Sequence, residues 1–340
     1  MNSGNKRQLK FGILRTLQHS KTDENWVRSC EELGIPYKMI DIWGSEWIEE
    51  VKESGCDGFL VRPPYDFQER KTGYEERLWF ISKIMGFPIY PSYEECFLYE
   101  NKRAVTYWLS ANGFPGIPTK IFFRKEDALK YLDSAEYPLI IKSNVGSAAK
   151  GVKIIKSPQK ARRIANSAFG MFSEHLAIGW MPKRQKFSLI SYPWVGASQR
   201  HTLFVQPFLN IKWEWRISKV GDSYFGKQKL LKGNFASGSL RFGWVEPPRN
   251  LLDLVRKICD KGNFTSMAID ILETVDGRFY VNEMQSLFGS HHPSQMIIND
   301  KPGRYLWNGS DYVFEEGCFN RHGSYLLRVE KFVQILSFKN

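Results

Sequence analysis

Two stretches of this chain combine residue types that could handle a polyanion and a cation together. In Tyr137-Pro-Leu-Ile-Ile-Lys-Ser-Asn-Val-Gly-Ser-Ala-Ala-Lys-Gly-Val-Lys-Ile-Ile155 an apolar strand delivers Lys142 into a loop of small residues, and a second strand leaves it. Gly146, Ser147, Ala148, Ala149 and Gly151 let backbone N–H groups approach an anion, while Lys142 and Lys150 supply charge, so the chemistry indicated is binding of a nucleoside triphosphate under a strand–loop–strand flap. The spacing is not GxxxxGK[ST] and no helix starts after the loop, which sets aside the helix-dipole form of phosphate binding. A surface hairpin with flanking lysines is the competing reading of this stretch alone.

The second stretch, Ser266-Met-Ala-Ile-Asp-Ile-Leu-Glu-Thr-Val-Asp-Gly-Arg-Phe-Tyr-Val-Asn-Glu-Met-Gln285, reads as two strands joined by a turn at Asp276-Gly277. Such a hairpin sets Asp270 beside Glu283 on one face, with Gln285 two residues on and on that face too. Hard oxygen ligands facing one another suit Mg²⁺ that also holds substrate phosphates. A solvated acidic hairpin is the alternative, but Asp270 lies between Ala268-Ile269 and Ile271-Leu272, where an unpaired carboxylate is costly.

The elements that must position these residues belong to an ordinary globular chain: 340 residues, 42% hydrophobic and 25% charged, are enough for two or three domains with full cores and exclude disorder. The polar start lacks the apolar stretch of a signal peptide and the apolar runs are short, so neither secretion nor membrane insertion is expected, and the cytoplasm is the expected compartment. The five cysteines form no C-x-x-C pair, and their odd number argues for reduced thiols without a catalytic role. The net charge of +12 is concentrated: residues 141–245 hold 18 Lys and Arg against three acids, the rest of the chain 30 against 33. That field suits a cleft for polyphosphate and a second anionic substrate. Nucleic acid is the rival, since Trp180, Tyr192, Trp194, Phe204, Trp213 and Trp215 interleave with the basic residues; it is not favoured, because no nucleic-acid-binding motif accompanies them and many of these rings read as core.

Residues 10–98 alternate short strands with amphipathic helices ending at Gly34, Gly55 and Gly86, a βαβαβα order that implies a small parallel sheet covered by helices. Ligands of such sheets gather beyond the carboxyl ends of the strands, which makes Arg15 and Arg62 candidate contacts for an anionic substrate; surface arginines on loop carbonyls are the plain reading. A helix from Glu100 stops at Gly113, further helices are expected over 125–132 and 157–176, and a β-hairpin over 214–231 turns at Gly221-Asp222.

Taken in order, Asn-Lys102, Ile-Ile-Lys142 with its small-residue loop, Val-Gln-Pro-Phe-Leu209, Glu-Trp-Arg-Ile217, Ala-Ile-Asp-Ile271 and Asn-Glu-Met-Gln285 resemble the ATP-grasp superfamily over about residues 98–293, in its carboxylate–amine ligase type. The resemblance implies an α+β ATP-grasp fold, two α+β subdomains clasping ATP, preceded by a small α/β parallel-sheet domain. The expected division is 1–98, 99–205, 206–293 and a C-terminal extension over 294–340. It further implies ATP and Mg²⁺ as cofactors. Lys102 and Lys142 would lie on the phosphates under a loop that includes Gly146 and Ser147. Gln206, Phe208 and Leu209 would lie against adenine, Glu214 at ribose, and Asp270, Glu283 and Gln285 on the metal.

The chemistry usual for such enzymes is an acyl phosphate formed from a carboxylate and ATP, then attacked by an amine to give an amide or peptide bond. A carboxylate attacking a phosphoryl group brings anions together, so cations must neutralise the charge. Arg216, Lys229 and Arg241, with Lys227, lie on segments that face the transferring phosphate and the acceptor in the resembling ribosomal-protein glutamate ligase. Arg216 is the preferred clamp because a guanidinium holds two oxygens at once, and an ion pair with Glu214 or Asp222 is its plain reading. The chain departs from the pattern at Gln285, where Asn is usual, at Gln206, where an acid is common, and at Ala268, where D-alanine–D-alanine ligases carry arginine. The tail after Pro293 is similar to those of ATP-grasp proteins that accompany polysaccharide biosynthesis, which suggests an amine or amino acid joined to a sugar carboxylate. The partners implied are small-molecule carboxylate and amine substrates, and a homodimer is compatible with this reading. An ATP-binding module without catalysis and a modifier of a ribosomal or other nucleic-acid-associated protein are the alternatives.

Overall fold

The computed structural model describes residues 8–16, 20–65, 68–145, 151–170, 183–186, 191–194, 201–233, 236, 241–289 and 292–338. Gly146 and Ser147, expected over the phosphates, lie outside them, and the helix expected over 157–176 is shorter, ending at Ala168 with Phe169 as its C-cap.

Phe11–Leu14 (β1), Tyr37–Ile40 (β2), Gly58–Leu60 (β3) and Ile89–Tyr90 (β4) form a parallel sheet in the order β2-β1-β3-β4. Helices Ser20–Glu32 (α1), Trp47–Lys52 (α2) and Gln68–Trp79 (α3) connect them, α3 running on into a π-helical turn over Phe80–Ile84. The βαβ order of the sequence is met because β1, β3 and β4 are apolar and buried, as a sheet covered on both faces requires, while β2 at the edge is only partly covered.

Tyr93–Leu98 (α4) and Lys102–Ala111 (α5) lead into the next layer: Lys120–Phe122 (β5), Lys125–Ser134 (α6), Leu139–Lys142 (β6), Val152–Ile155 (β7), Pro158–Ala168 (α7), the separate pair Lys183–Lys186 (β8) and Ser191–Trp194 (β9), and Leu203–Pro207 (β10). Antiparallel strands β5-β10-β6-β7 make one sheet. Ala128, Leu132, Ala161 and Ala165 of α6 and α7 pack against Leu139, Ile141, Leu203 and Val205. Because strand side chains alternate, Ile140, Lys142 and Gln206 are left on the opposite face.

The large sheet takes Ile211–Val220 (β11), Ser223–Lys229 (β12), Phe242–Gly243 (β13), Ser266–Thr274 (β14), Phe279–Gln285 (β15), Ile297–Ile298 (β16), Lys301–Trp307 (β17) and Tyr312–Glu316 (β18). Its central order is β15-β14-β11-β12-β17. The Arg249–Gly262 helix (α8) buries Leu251, Leu252, Val255, Ile258 and Cys259 against Trp215, Ile217, Ile269 and Ile271. Each such side chain contributes about 1.5–3 kcal/mol relative to exposure, and Asn263, in the left-handed conformation at φ +51°, ends the helix. The alternation that buries Trp215, Ile217, Ile269 and Ile271 turns Glu214, Arg216, Asp270 and Leu272 to the other face. The last helix, Tyr325–Ser337 (α9), returns to the first domain, where Tyr325, Val329, Phe332 and Leu336 join the core of Phe11, Ile13, Trp26, Leu60 and Tyr90.

Candidate active site

The polar faces of the two antiparallel sheets meet across one open cleft. Ile117, Ile140, Val152, Phe208, Leu209 and Leu272 form its apolar walls, and Lys102, Lys142, Glu214, Asn282 and Glu283 its polar lining. A cleft with apolar walls and a few converging charged and amide groups suits a purine nucleotide.

Lys142 ends β6, and the chain beyond it is tied down by Asn144. The Asn144 carbonyl accepts from Lys102 N (3.2 Å), its Oδ1 accepts from Arg103 N (2.9 Å) and its Nδ2 donates to Gln68 Oε1 (2.7 Å). The free N–H groups of a helix start are thereby satisfied, and α5 is held so that Lys102 faces the cleft. Asn101 completes the cap, accepting from Ala104 N (3.3 Å). Burial lowers the Lys142 ammonium to about 8 despite the opposing pull of Glu283.

The Asp276-Gly277 turn sets β14 and β15 so that Asp270 is the direct cross-strand partner of Glu283. Asp270 is buried but not unpaired. Arg216 donates Nε to Oδ1 (2.7 Å) and Nη2 to Oδ2 (2.8 Å), and Lys229 Nζ donates to Oδ2 (2.5 Å). Burial alone would raise this carboxyl; Arg216 and Lys229 outweigh it and hold it well below the usual carboxylate range. Lys229 also donates to Glu214 Oε1 (2.5 Å), whose carboxyl burial pushes up. Arg216 thus pairs with Asp270, not with Glu214 or Asp222; Asp222 lies 3.8 Å from Lys331.

At the other end of the cluster Lys102 Nζ lies 3.8 Å from Glu283 and 3.9 Å from Glu100. Gln285 Nε2 donates to Glu283 Oε2 (3.2 Å) and Glu100 Oε1 (3.3 Å), and its Oε1 accepts from Arg216 (3.3 Å). Gln206 is buried with Nε2 on Thr119 Oγ1 (2.8 Å), beside Phe208 and Leu209 in the cleft wall. Arg241 is not brought into this cluster: it is exposed, and its carbonyl accepts from Leu230 N (3.0 Å). Phe204 and Trp215 are core residues, and half-buried Trp213 donates Nε1 to Glu273 (2.7 Å).

Two participants escape sequence reading. Glu100 is buried with a left-handed backbone (φ +51°), and burial, with the charge of Glu283 adding and that of Lys102 opposing, raises its carboxyl to about 7. Asn282 accepts from Lys142 Nζ (2.9 Å) and donates to Glu214 Oε2 (3.1 Å). A carboxylate next to Asn101-Lys102 and an amide next to Glu283 were the signals, but neither has a periodicity that shows it facing inward.

Asp270 and Glu283 are the carboxylates that a divalent ion here would take, Asp270 only by sharing oxygens now bonded to Arg216 and Lys229. Asp270 is held ionised, the two are in register, and Mg²⁺ characteristically takes one or two carboxylates plus phosphate oxygens. Among the described residues no helix is long and apolar enough to cross a membrane.

No protein-family model matches the sequence, and no curated protein matches it. Solved structures do. The chain is similar to D-alanine–D-alanine ligase from Bacillus anthracis complexed with ATP, at 14% identity, 98% of this chain, 100% of that one and a TM-score of 0.58. It is similar to a RimK domain ATP-grasp protein from Sphaerobacter thermophilus, at 14% identity, 81% and 90% coverage and a TM-score of 0.53. It is also similar to the biotin carboxylase domain of the Hydrogenobacter thermophilus 2-oxoglutarate carboxylase, complexed with MgADP, ADP and bicarbonate, at 14% identity, 85% and 66% coverage and a TM-score of 0.58. Two sheets closing on one polar cleft, behind a small parallel α/β domain, give this chain the ATP-grasp fold.

Proposed function

We propose that the protein is an ATP-dependent carboxylate–amine ligase that forms an amide or peptide bond through an acyl phosphate, releasing ADP and phosphate. The observation that carries this reading is the convergence of Lys102, Lys142, Gln206, Glu214 and Glu283 on a single cleft between the two sheets. In this reading adenine lies between the apolar walls near Gln206, Phe208 and Leu209, Glu214 receives ribose, and Lys102 and Lys142 take the phosphates. Asp270 and Glu283, with Gln285 beside them, would hold Mg²⁺, which would supply neutralisation of phosphate charge.

The protein's own contribution is charge placed in advance. Arg216 and Lys229 already share Asp270, which holds both cations beside the carboxylates that would bind the metal, where they would add positive charge for a transferring phosphoryl group. Arg216 then offers two parallel N–H donors to its equatorial oxygens. Arg241, exposed at the edge of the sheet, is retained as a contact for the acceptor. The similar structures support ligase chemistry: one is a D-alanine–D-alanine ligase bound to ATP, another a carboxylase domain dimer bound to MgADP and bicarbonate. A sugar carboxylate as the acid, with an amino acid or amine as its partner, a cytoplasmic setting and a homodimer complete the reading.

The test is incubation with MgATP, pools of amino acids, uronic acids and other carboxylates, and hydroxylamine as the amine, measuring ADP and acyl hydroxamate. Hydroxamate that forms with one pool and is lost in Glu283→Ala is the expected result. ATP binding without ADP from any pool would overturn the reading in favour of a non-catalytic module.

A further inference from the structure

The β14–β15 ladder breaks step at the centre of the cleft. Asp270 pairs with Glu283, yet the next residue, Ile271, pairs with Val281, so Asn282 is an extra residue in β15. The bulge is fixed from the outer edge as well: Val281 N donates to Pro115 O (2.7 Å), and Ile117 N donates to Val281 O (3.4 Å). Val281 and Met284 can then both enter the core while Asn282 and Glu283, although consecutive, both line the cleft. Strict alternation would have sent Asn282 and Glu283 to opposite faces.

The amide so presented bridges the sheets. Lys142 stands on β6 in one, Glu214 on β11 in the other, and Asn282 joins them by accepting from Lys142 Nζ (2.9 Å) and donating to Glu214 Oε2 (3.1 Å). We propose that Asn282 is a positioning residue for nucleotide binding: it aims Lys142 at the triphosphate and fixes Glu214 beside the nucleoside without neutralising either charge. This rests on the ATP-binding reading above. A lysine ammonium has three N–H donors, so one held by Asn282 leaves two for phosphate oxygens. A neutral acceptor orients this ammonium, whereas a carboxylate in the same place would pair with it and set a second anion about one hydrogen-bond length from Glu214. The amide group, more than the size of the side chain, is therefore the requirement.

Asn282→Ala, Asn282→Asp, Lys142→Met and the Asn282→Ala/Lys142→Met double variant are titrated calorimetrically with MgATP and with adenosine, thermal unfolding serving as the check on folding. Asn282→Ala weakens MgATP about tenfold, the scale of one hydrogen bond to a charged group, and adenosine less. In the Lys142→Met background the same substitution costs MgATP affinity little. Asn282→Asp, nearly isosteric, loses at least as much MgATP affinity as Asn282→Ala. Additive losses, equal losses for MgATP and adenosine, or an Asn282→Asp variant that binds like the parent would each overturn the positioning role. A parent protein that binds neither MgATP nor adenosine would instead overturn the ATP-binding reading on which the role rests.

Discussion

Side chains in the cleft are governed by a contest between burial and partnership. Asp270 is almost fully buried and stays ionised because three donors from Arg216 and Lys229 meet it; Lys142 is half-buried with a neutral amide as its hydrogen-bond acceptor, and desolvation brings its ammonium down to about 8. The sign of the consequence follows. Lys142 binds phosphate only when protonated, and its proton is lost as pH rises through about 8, so MgATP affinity falls above that pH and by about tenfold near pH 9. Lys142→Arg, always charged, abolishes this dependence while leaving affinity at pH 7 within a few fold. Titration of both proteins between pH 6.5 and 9.5 checks it; a parallel decline in the Arg variant would assign the dependence to another group.

Elements place these side chains by rules that were partly visible in the chain. The Asp-Gly turn and the apolar flanks of Asp270 were enough to bring Asp270 and Glu283 opposite one another, and the strand before Lys142 to aim that lysine out of its sheet. Period-two reasoning failed at Asn282, because a bulge depends on which backbone lies along the outer edge of β15, here Pro115–Ile117, far away in sequence. It was equally silent on Glu95. Ser92 and Glu95 form a capping box at the start of α4, but the same carboxylate also accepts from Thr265 N (2.7 Å) and Ser266 N (2.6 Å), clamping the first residue of β14, the strand that carries Asp270. Replacement by Ala leaves three backbone donors without this acceptor, the Ser266 N–H fully buried and those of Ser92 and Thr265 partly so, each worth about 1–3 kcal/mol when buried. Glu95→Ala is therefore expected to lose about 3–5 kcal/mol in urea unfolding, since such losses are seldom fully additive. Glu95→Gln, which keeps an acceptor oxygen, loses less; equal losses would argue against the clamp.

At the scale of the whole molecule the chain closes on itself. Residues after Pro293 run along the large sheet as β16, β17 and β18, then α9 crosses to the first domain, where Phe332 lies 4.9 Å from the ring of Phe11 and 5.5 Å from that of Tyr90. Arg328 stitches the crossing, donating to Ser266 Oγ (3.0 Å), Phe288 O (2.9 Å) and Gly323 O (3.2 Å), so α9 is held at once by the parallel sheet and by the strand that carries Asp270. One helix shared by two cores couples their stabilities. Phe332→Ala removes a buried ring from the first domain at a cost of about 3–5 kcal/mol, and the coupling predicts that the loss is felt in the cleft too. Unfolding followed by tryptophan fluorescence, with Trp26 in the first core and Trp215 in the large sheet, is expected to remain a single transition at lower denaturant. If the domains were independent, Phe332→Ala would instead split the curve, leaving Trp215 and nucleotide binding at the parent midpoint.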